Sequence, residues 1–266
     1  MAAKQVAYIA LALLLGGAGL LFYSGRTTED SDASNLRIIG GIVPHHDLIP
    51  EKIEEFWLEL DRRADPSMIV LIGPDHEDAG PGELSAVQCA PFEGVRPDEQ
   101  FINGLIRDRV TARDDGTLQN EHSLTIHLPF IARIFPDATV VPIAIRADAG
   151  NDPLLATAAE LRKRLSGEVA VVASVDLSHY ESRTVAMQND LETIAAITNF
   201  DYDVLHSYEA DHIDSEQSVI LMSEIVCPEH TCNWDTVFTG NSSDIQHSNP
   251  GYTTGYCSLI VDGDLP

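Results

Sequence analysis

Four short runs of nearly unbroken apolar residues punctuate the chain: LRIIGGIV (36–43), SMIVLIG (67–73), ATVVPIAI (138–145) and EVAVVASVD (168–176). Runs of this length, rich in β-branched residues, predict strands buried on both faces. Between them the period changes. PEKIEEFWLELDRR (50–63) puts Ile53, Phe56, Trp57 and Leu60 on one helical face. Further helices are predicted over 97–108, from about Ser123 to Ile134, over 152–165, over roughly 184–199, briefly over 202–210, and over 215–226 with Asp214 or Ser215 as its cap. ELSAVQCA (83–90) alternates and predicts a more exposed strand, and WDTVFTGN (234–241) and GYTTGYCSLIV (251–261) are two more β-like runs. Apolar strands alternating with helices predict an α/β fold: a single domain with a mostly parallel central sheet flanked by helices on both faces. Ligands of such sheets sit at the carboxyl ends of the strands.

The N-terminus follows another pattern. VAYIALALLLGGAGLLFY (6–23) is long enough to reach the lower limit for a membrane span and is long for a signal-peptide core. It predicts a membrane anchor over residues 1–26, uncleaved, with an extracytoplasmic domain; the alternative is a signal segment and secretion after its cleavage. Residues 27–35 read as a flexible linker, and 36–266 as the folded domain.

Charge narrows the function classes. Forty-two acids face sixteen bases, for a formal net charge of -26. Such a surface repels nucleic acid, which needs a basic footprint. Few of the bases are lysine, a balance suited to high salt as well as to an ordinary acidic protein. Of the cysteines, Cys227 and Cys232 are close enough to pair, whereas Cys89 and Cys257 lie in strand-like runs and read as buried. With no CxxC pair, a structural zinc site is not expected.

The strand ends carry the candidate chemistry. The first buried strand ends in Pro44-His45-His46-Asp47, the second in Gly73-Pro74-Asp75-His76-Glu77-Asp78, and the fourth in Ser174-Val175-Asp176-Leu177-Ser178-His179-Tyr180. In a parallel sheet these ends share one edge, so histidines and aspartates from three strands can converge. NEHSLTIHLPF adds Glu121, His122 and His127. The two histidines are five apart and do not share a helical face, and the HExxH spacing is absent. His127 reads equally as a partner of a site residue or as a core residue. Ser174 and Ser178 lack the G-x-S-x-G setting of a serine nucleophile.

The ordered blocks GIVPHHD, LIGPDHEDAG, NEHSLTIHLPFI, VVPIAI, VASVDLSHY and TGNSSDI…GYTTGYCSLIV resemble those of the MEMO family, also called AmmeMemoRadiSam system protein B. That family is related in fold to class III extradiol ring-cleaving dioxygenases. The resemblance runs from about Ile38 to Val261. It implies metal ligands at His45 and His76, and site residues at Asp176, His179, Glu121 and His122. The chain departs from the family at the third ligand: HIDSEQSVIL places Asp214 where members commonly have a cysteine, with Ser215 next and Glu216 as the alternative ligand. His46 is a second departure, at a position usually small.

Two histidines with a thiolate suit copper or zinc, whereas two histidines with a carboxylate suit non-haem Fe(II) and leave positions open. The cofactor expected is therefore a divalent metal ion, Fe(II) favoured, with copper or zinc as alternatives. His179 is the expected general acid/base, its ordinary pKa lying near neutrality. Asp176 is expected to orient it, and Tyr180 to donate to a bound oxyanion. Three functions follow: a dioxygenase-type oxidoreductase, a binding protein for a metal or small ligand without turnover, or a metal-assisted hydrolase. The expected partners are an unidentified small molecule and, through the N-terminal segment, a membrane.

Overall fold

The computed structural model describes residues 36–78, 80–82, 84–87, 94–116, 118–247 and 251–263. The apolar run, the linker and Cys89 lie outside the described residues. The strands are β1 (Arg37–Val43), β2 (Met68–Pro74), β3 (Leu84–Ala86), β4 (Arg96–Pro97), β5 (Ala112–Arg113), β6 (Thr139–Ile145), β7 (Glu168–Ser174), β8 (Trp234–Asn241) and β9 (Gly255–Asp262). The helices are α1 (Pro50–Arg63), α2 (Glu99–Arg107), α3 (His122–Thr125), α4 (Leu128–Ile134), α5 (Asn151–Arg162), α6 (Arg183–Thr198), α7 (Tyr202–Leu205), α8 (Glu216–Val226) and α9 (Ser242–Gln246).

One sheet takes the order β5-β3-β6-β2-β7-β1-β9-β8, with β4 beside β6. Its centre is parallel: β6 with β2, β2 with β7, and β7 with β1. β9 adds to β1 antiparallel, and β8 to β9. The four apolar runs are thus the four central strands.

Their residues alternate between two cores, one on each face. Ile69 and Leu71 pack with Phe56, Trp57 and Leu60 of α1. Val70 and Ile72 pack with Leu154 and Leu161 of α5 and with Val219 and Ile220 of α8. Burying side chains of this size stabilises the fold by about 1.5–3 kcal/mol each, before entropy is counted. α8 is buried almost all round, as an apolar helix wedged between a sheet and other helices must be.

Three local readings change. The helix expected over 123–134 is two pieces, α3 and α4. Pro129 has no N–H to continue the ladder from α3, so it opens a new helix instead. The short helix expected over 202–210 stops at Leu205. β3, expected to be exposed, is buried beside β6. Cys227 and Cys232 are disulfide-bonded, and Cys257 is buried in β9.

The membrane-anchored, extracytoplasmic localisation is corrected. Among the described residues no helix is long and apolar enough to cross a membrane. The longest of them, α6, has 16 residues and carries Arg183, Asp190 and Glu192, against about 20 largely apolar residues for a span.

Candidate metal centre

The carboxyl ends of β1, β2 and β7 deliver His45, His76 and Asp176 to one edge of the sheet, as their parallel register requires. Asp214 arrives from far along the chain. Leu177 and Ile213 form an antiparallel bridge, and within it Asp214 N donates to Asp176 O while Asp176 N donates to Asp214 Oδ2, both at 3.2 Å. Ser215, not Asp214, caps α8: its hydroxyl accepts from Ser218 N. The Asp214 carboxylate is therefore free to face the histidines.

Two overlapping sets of metal-ligand geometry result. His45, His76 and His122 bring one ligand atom each within 4.8 Å of one another, and so do His45, Asp176 and Asp214. His45 belongs to both. His76 and His122 stack at 4.3 Å between ring centroids, and both meet the His45 ring edge-on at 5.2 and 5.1 Å. His45 Nε2 lies 3.2 Å from Asp214 Oδ2. The expected trio of His45, His76 and Asp214 is thus divided between the two sets and joined through His45. His122 stands where a ligand can stand, not only an acid or base. Glu216 lies in neither set; its carboxylate faces His206 and Gln217.

Two of the three rings, His76 and His45, are held from behind. Glu121 caps α3 through Ser123 N. The same carboxylate accepts from His76 Nδ1 at 2.8 Å and from His76 N at 3.0 Å. With Nδ1 committed, His76 presents Nε2. α3 is pinned to β2 by Ser123 Oγ, which donates to Pro74 O at 3.0 Å. Gly73 permits that approach, since a Cβ there would lie 2.7 Å from Ser123 Oγ. Asp176 Oδ1 accepts from His45 N at 3.0 Å, and His45 Nδ1 meets Ser174 Oγ at 3.1 Å.

The electrostatics suit a cation. Burial favours the neutral His45 ring, but the carboxylates of Asp176, Asp214 and Glu121 outweigh it and raise the ring to about 9. Burial also raises Asp176. Burial opposes ionisation of Glu121 too, yet its hydrogen bonds from His76 and Ser123 hold it at about 2. His122 is lowered by burial and by the neighbouring His45 and His76. Asp214 Oδ1 and His179 Nδ1 are buried with no hydrogen-bond partner. A buried carboxylate oxygen left unpaired is costly, and a bound cation would remove that cost. The residues present therefore fit a divalent ion.

The cluster opens on a cavity of about 550 Å³ lined by His45, His46, His76, His122, Asp176, His179 and Tyr180. A second lobe of about 260 Å³ shares His76, His179 and Tyr180 and adds Asp75, Asp214 and Gln217. Both are large enough for a small molecule in combination. His179 is fixed through its backbone to Ala210 O at 2.8 Å. The orienting role expected of Asp176 takes another form: its carboxylate holds the His45 backbone, and His179 Nδ1 is left without a hydrogen bond. Tyr180 is 75% exposed. His46 Nδ1 accepts from Leu48 N and braces the turn at the cavity rim. His212 stacks on Tyr208 away from the cluster.

Comparison with known proteins identifies the family and the fold. A family model described as Memo-like protein matches residues 24–226. The chain belongs to the Memo-like family. A MEMO1 family protein of Caldivirga maquilingensis is 30% identical over 69% of this chain and 70% of its own length. One from Ignicoccus hospitalis is 28% identical over 66% of this chain, and the match spans 65% of that relative. The crystal structure of an uncharacterized Escherichia coli K12 protein aligns with TM-score 0.53 at 12% identity, covering 84% of this chain and 99% of that one. This likeness bears on the fold alone. The relationship to class III extradiol dioxygenases is consistent with this Memo-like membership.

Three features of the site are not legible in the sequence. One is the ligand position of His122. Another is the placement of Trp57, His127 and Ser174 behind His45. The third is Asp190, whose carboxylate accepts from Ser178 N and Oγ and so braces the loop that carries His179. The second had a signal: a tryptophan on a buried helical face must place its indole N–H.

Proposed function

We propose that this Memo-like chain is a metal-dependent oxidoreductase of the dioxygenase type, with His45, His76 and Asp214 as the ligands of a divalent iron. The observation that carries this reading is His45, held by hydrogen bonds, between two imidazoles and the carboxylate of Asp214, whose Oδ2 faces the ring while its buried Oδ1 has no hydrogen-bond partner. Two imidazoles with a carboxylate suit Fe(II), which when bound supplies open positions for O₂ and an oxygen-bearing substrate.

The chain's own groups have separate tasks. Glu121 and Ser174 fix the two imidazoles from behind. Asp176 fixes the backbone that carries His45. His179, unpaired at Nδ1 and shared by both lobes, takes and returns a proton. Acids at the rim disfavour an anionic ligand unless the metal offsets them.

His122 favours a second reading. With His45 and His76 it completes three imidazoles, a donor set used by zinc to activate water for hydrolysis. The two readings are separated by metal analysis of the native protein with oxygen uptake on catechols. Iron with O₂ consumption supports the first. Zinc with no O₂ consumption supports the second, and a chain that holds metal but turns over neither catechols nor esters is a binding protein.

A further inference from the structure

We infer that Trp57, His127 and Ser174 form a buried positioning chain that dictates which nitrogen of His45 is offered to a metal. The inference rests on the metal-binding reading above, and each link follows from the one before. An indole N–H can only donate. Trp57 Nε1 lies 3.3 Å from His127 Nδ1, so Nδ1 must accept and carries no proton. The His127 ring is fully buried and its pKa is pushed well below its usual value by burial and by His45. A neutral ring without a proton on Nδ1 carries it on Nε2.

His127 Nε2 then donates to Ser174 Oγ at 2.9 Å. The Ser174 hydroxyl proton is already committed, since Oγ donates to Ser123 O. Towards His45 Nδ1, at 3.1 Å, Ser174 Oγ can therefore only accept. His45 Nδ1 must keep its proton. When the ring is neutral the lone pair stands on Nε2, the nitrogen that faces Asp214. Ser174 ends with one donated and two accepted bonds, the full capacity of a hydroxyl.

The chain runs from α1, through the break between α3 and α4, to the last residue of β7. None of its three members faces the cavity, so they act on the metal only through His45. It is the neutral counterpart of the Glu121 carboxylate behind His76. A hydroxyl supports Nδ1–H without adding negative charge, so the two ligands differ in basicity although both present Nε2.

The test uses the whole chain with Zn(II) as probe. In metal-free wild-type protein, nitrogen-15 NMR is expected to show His127 protonated at Nε2 and bare at Nδ1. In the Zn(II)-loaded protein it is expected to show His45 protonated at Nδ1. His127→Leu, which breaks the chain, is expected to lose Zn(II) affinity about tenfold or more, while His127→Gln, which can still accept from Trp57 and donate to Ser174, stays within about threefold of wild type. A His127 proton on Nδ1 in the wild type would overturn the inference without any variant. Equal losses in folded His127→Leu and His127→Gln proteins would also overturn it, since packing would then explain both. If wild-type protein takes up no Zn(II), Fe(II) or Cu(II), the metal reading itself fails, whatever the tautomer of His127.

Discussion

His45 Nε2 and Asp214 Oδ2 lie 3.2 Å apart in the buried floor of the cavity. At that distance, without a metal, a proton sits between them, and the ring holds it up to about pH 9. Metal and proton compete for the same nitrogen. Zn(II) affinity is therefore expected to rise about tenfold per pH unit as the pH climbs from 7 towards 9. Competition titrations with a coloured chelator at pH 7 and pH 8 check it; an affinity flat over this interval contradicts it.

The same ring, kept charged by Asp176 and Asp214, adds an alkaline limit to the metal-free fold. A ring raised from 6.5 to about 9 adds stability that is complete below pH 6.5 and is lost as the pH rises through 9. The metal-free protein is expected to melt lower at pH 9.5 than at pH 6.5. Asp214→Asn should reduce that difference, measured by circular dichroism, because Asp176 and Glu121 still favour the charged ring.

Glu121 works at the other end of the scale. Held at about 2 against an ordinary 4.5, it contributes stability that is present above pH 4.5 and lost as the pH falls through 2. Glu121→Gln is expected to remove this acid-side slope. It should also weaken Zn(II) binding by about 10–100-fold, because the His76 ring loses a charged acceptor. Acid titration and calorimetry of the same variant read both effects.

Asp190 carries a penalty rather than a bonus. Burial raises it to about 6, despite the Ser178 bonds. The cost of its charge is complete above pH 6, shrinks as the pH falls through that value, and is gone below 3.8. Asp190→Asn keeps an oxygen for both Ser178 donors and removes the charge. It is expected to raise the melting temperature at pH 8 and to lose that advantage at pH 4.

Gly255 holds the same loop to the sheet, accepting from Leu177 N and donating to Ser178 O. A Cβ there would sit 2.1 Å from Asp190 Oδ1. Gly255→Ala is expected to destabilise the protein by about 3 kcal/mol, near the upper end for overpacking. Urea unfolding reads it, and the loss should shrink in the Asp190→Ala background.

The central sheet was legible because its four strands are apolar on both faces, a pattern that short amphipathic helices do not imitate. The convergence of His45, His76 and Asp176 followed from the same topology. What stayed hidden depended on contacts between distant segments. Asp214 reaches His45 through one bridge between Ile213 and Leu177, which no periodicity marks. His122 and His127 are five residues apart on a stretch that a proline splits into two helices, and the break sends one ring to the cavity and the other to the core. Residues 1–26, where the sequence pattern argued for an anchor, lie outside the described residues.

The most direct test of the centre is metal content. Wild-type protein and His45→Ala, each dialysed against Fe(II), Zn(II) or Cu(II) and then against buffer, are compared by elemental analysis. His45 is common to both ligand sets, so the expected result is about one ion per chain in the wild type and none in the folded variant. Full metal retention by His45→Ala, or none by the wild type, would contradict a metal centre at this site.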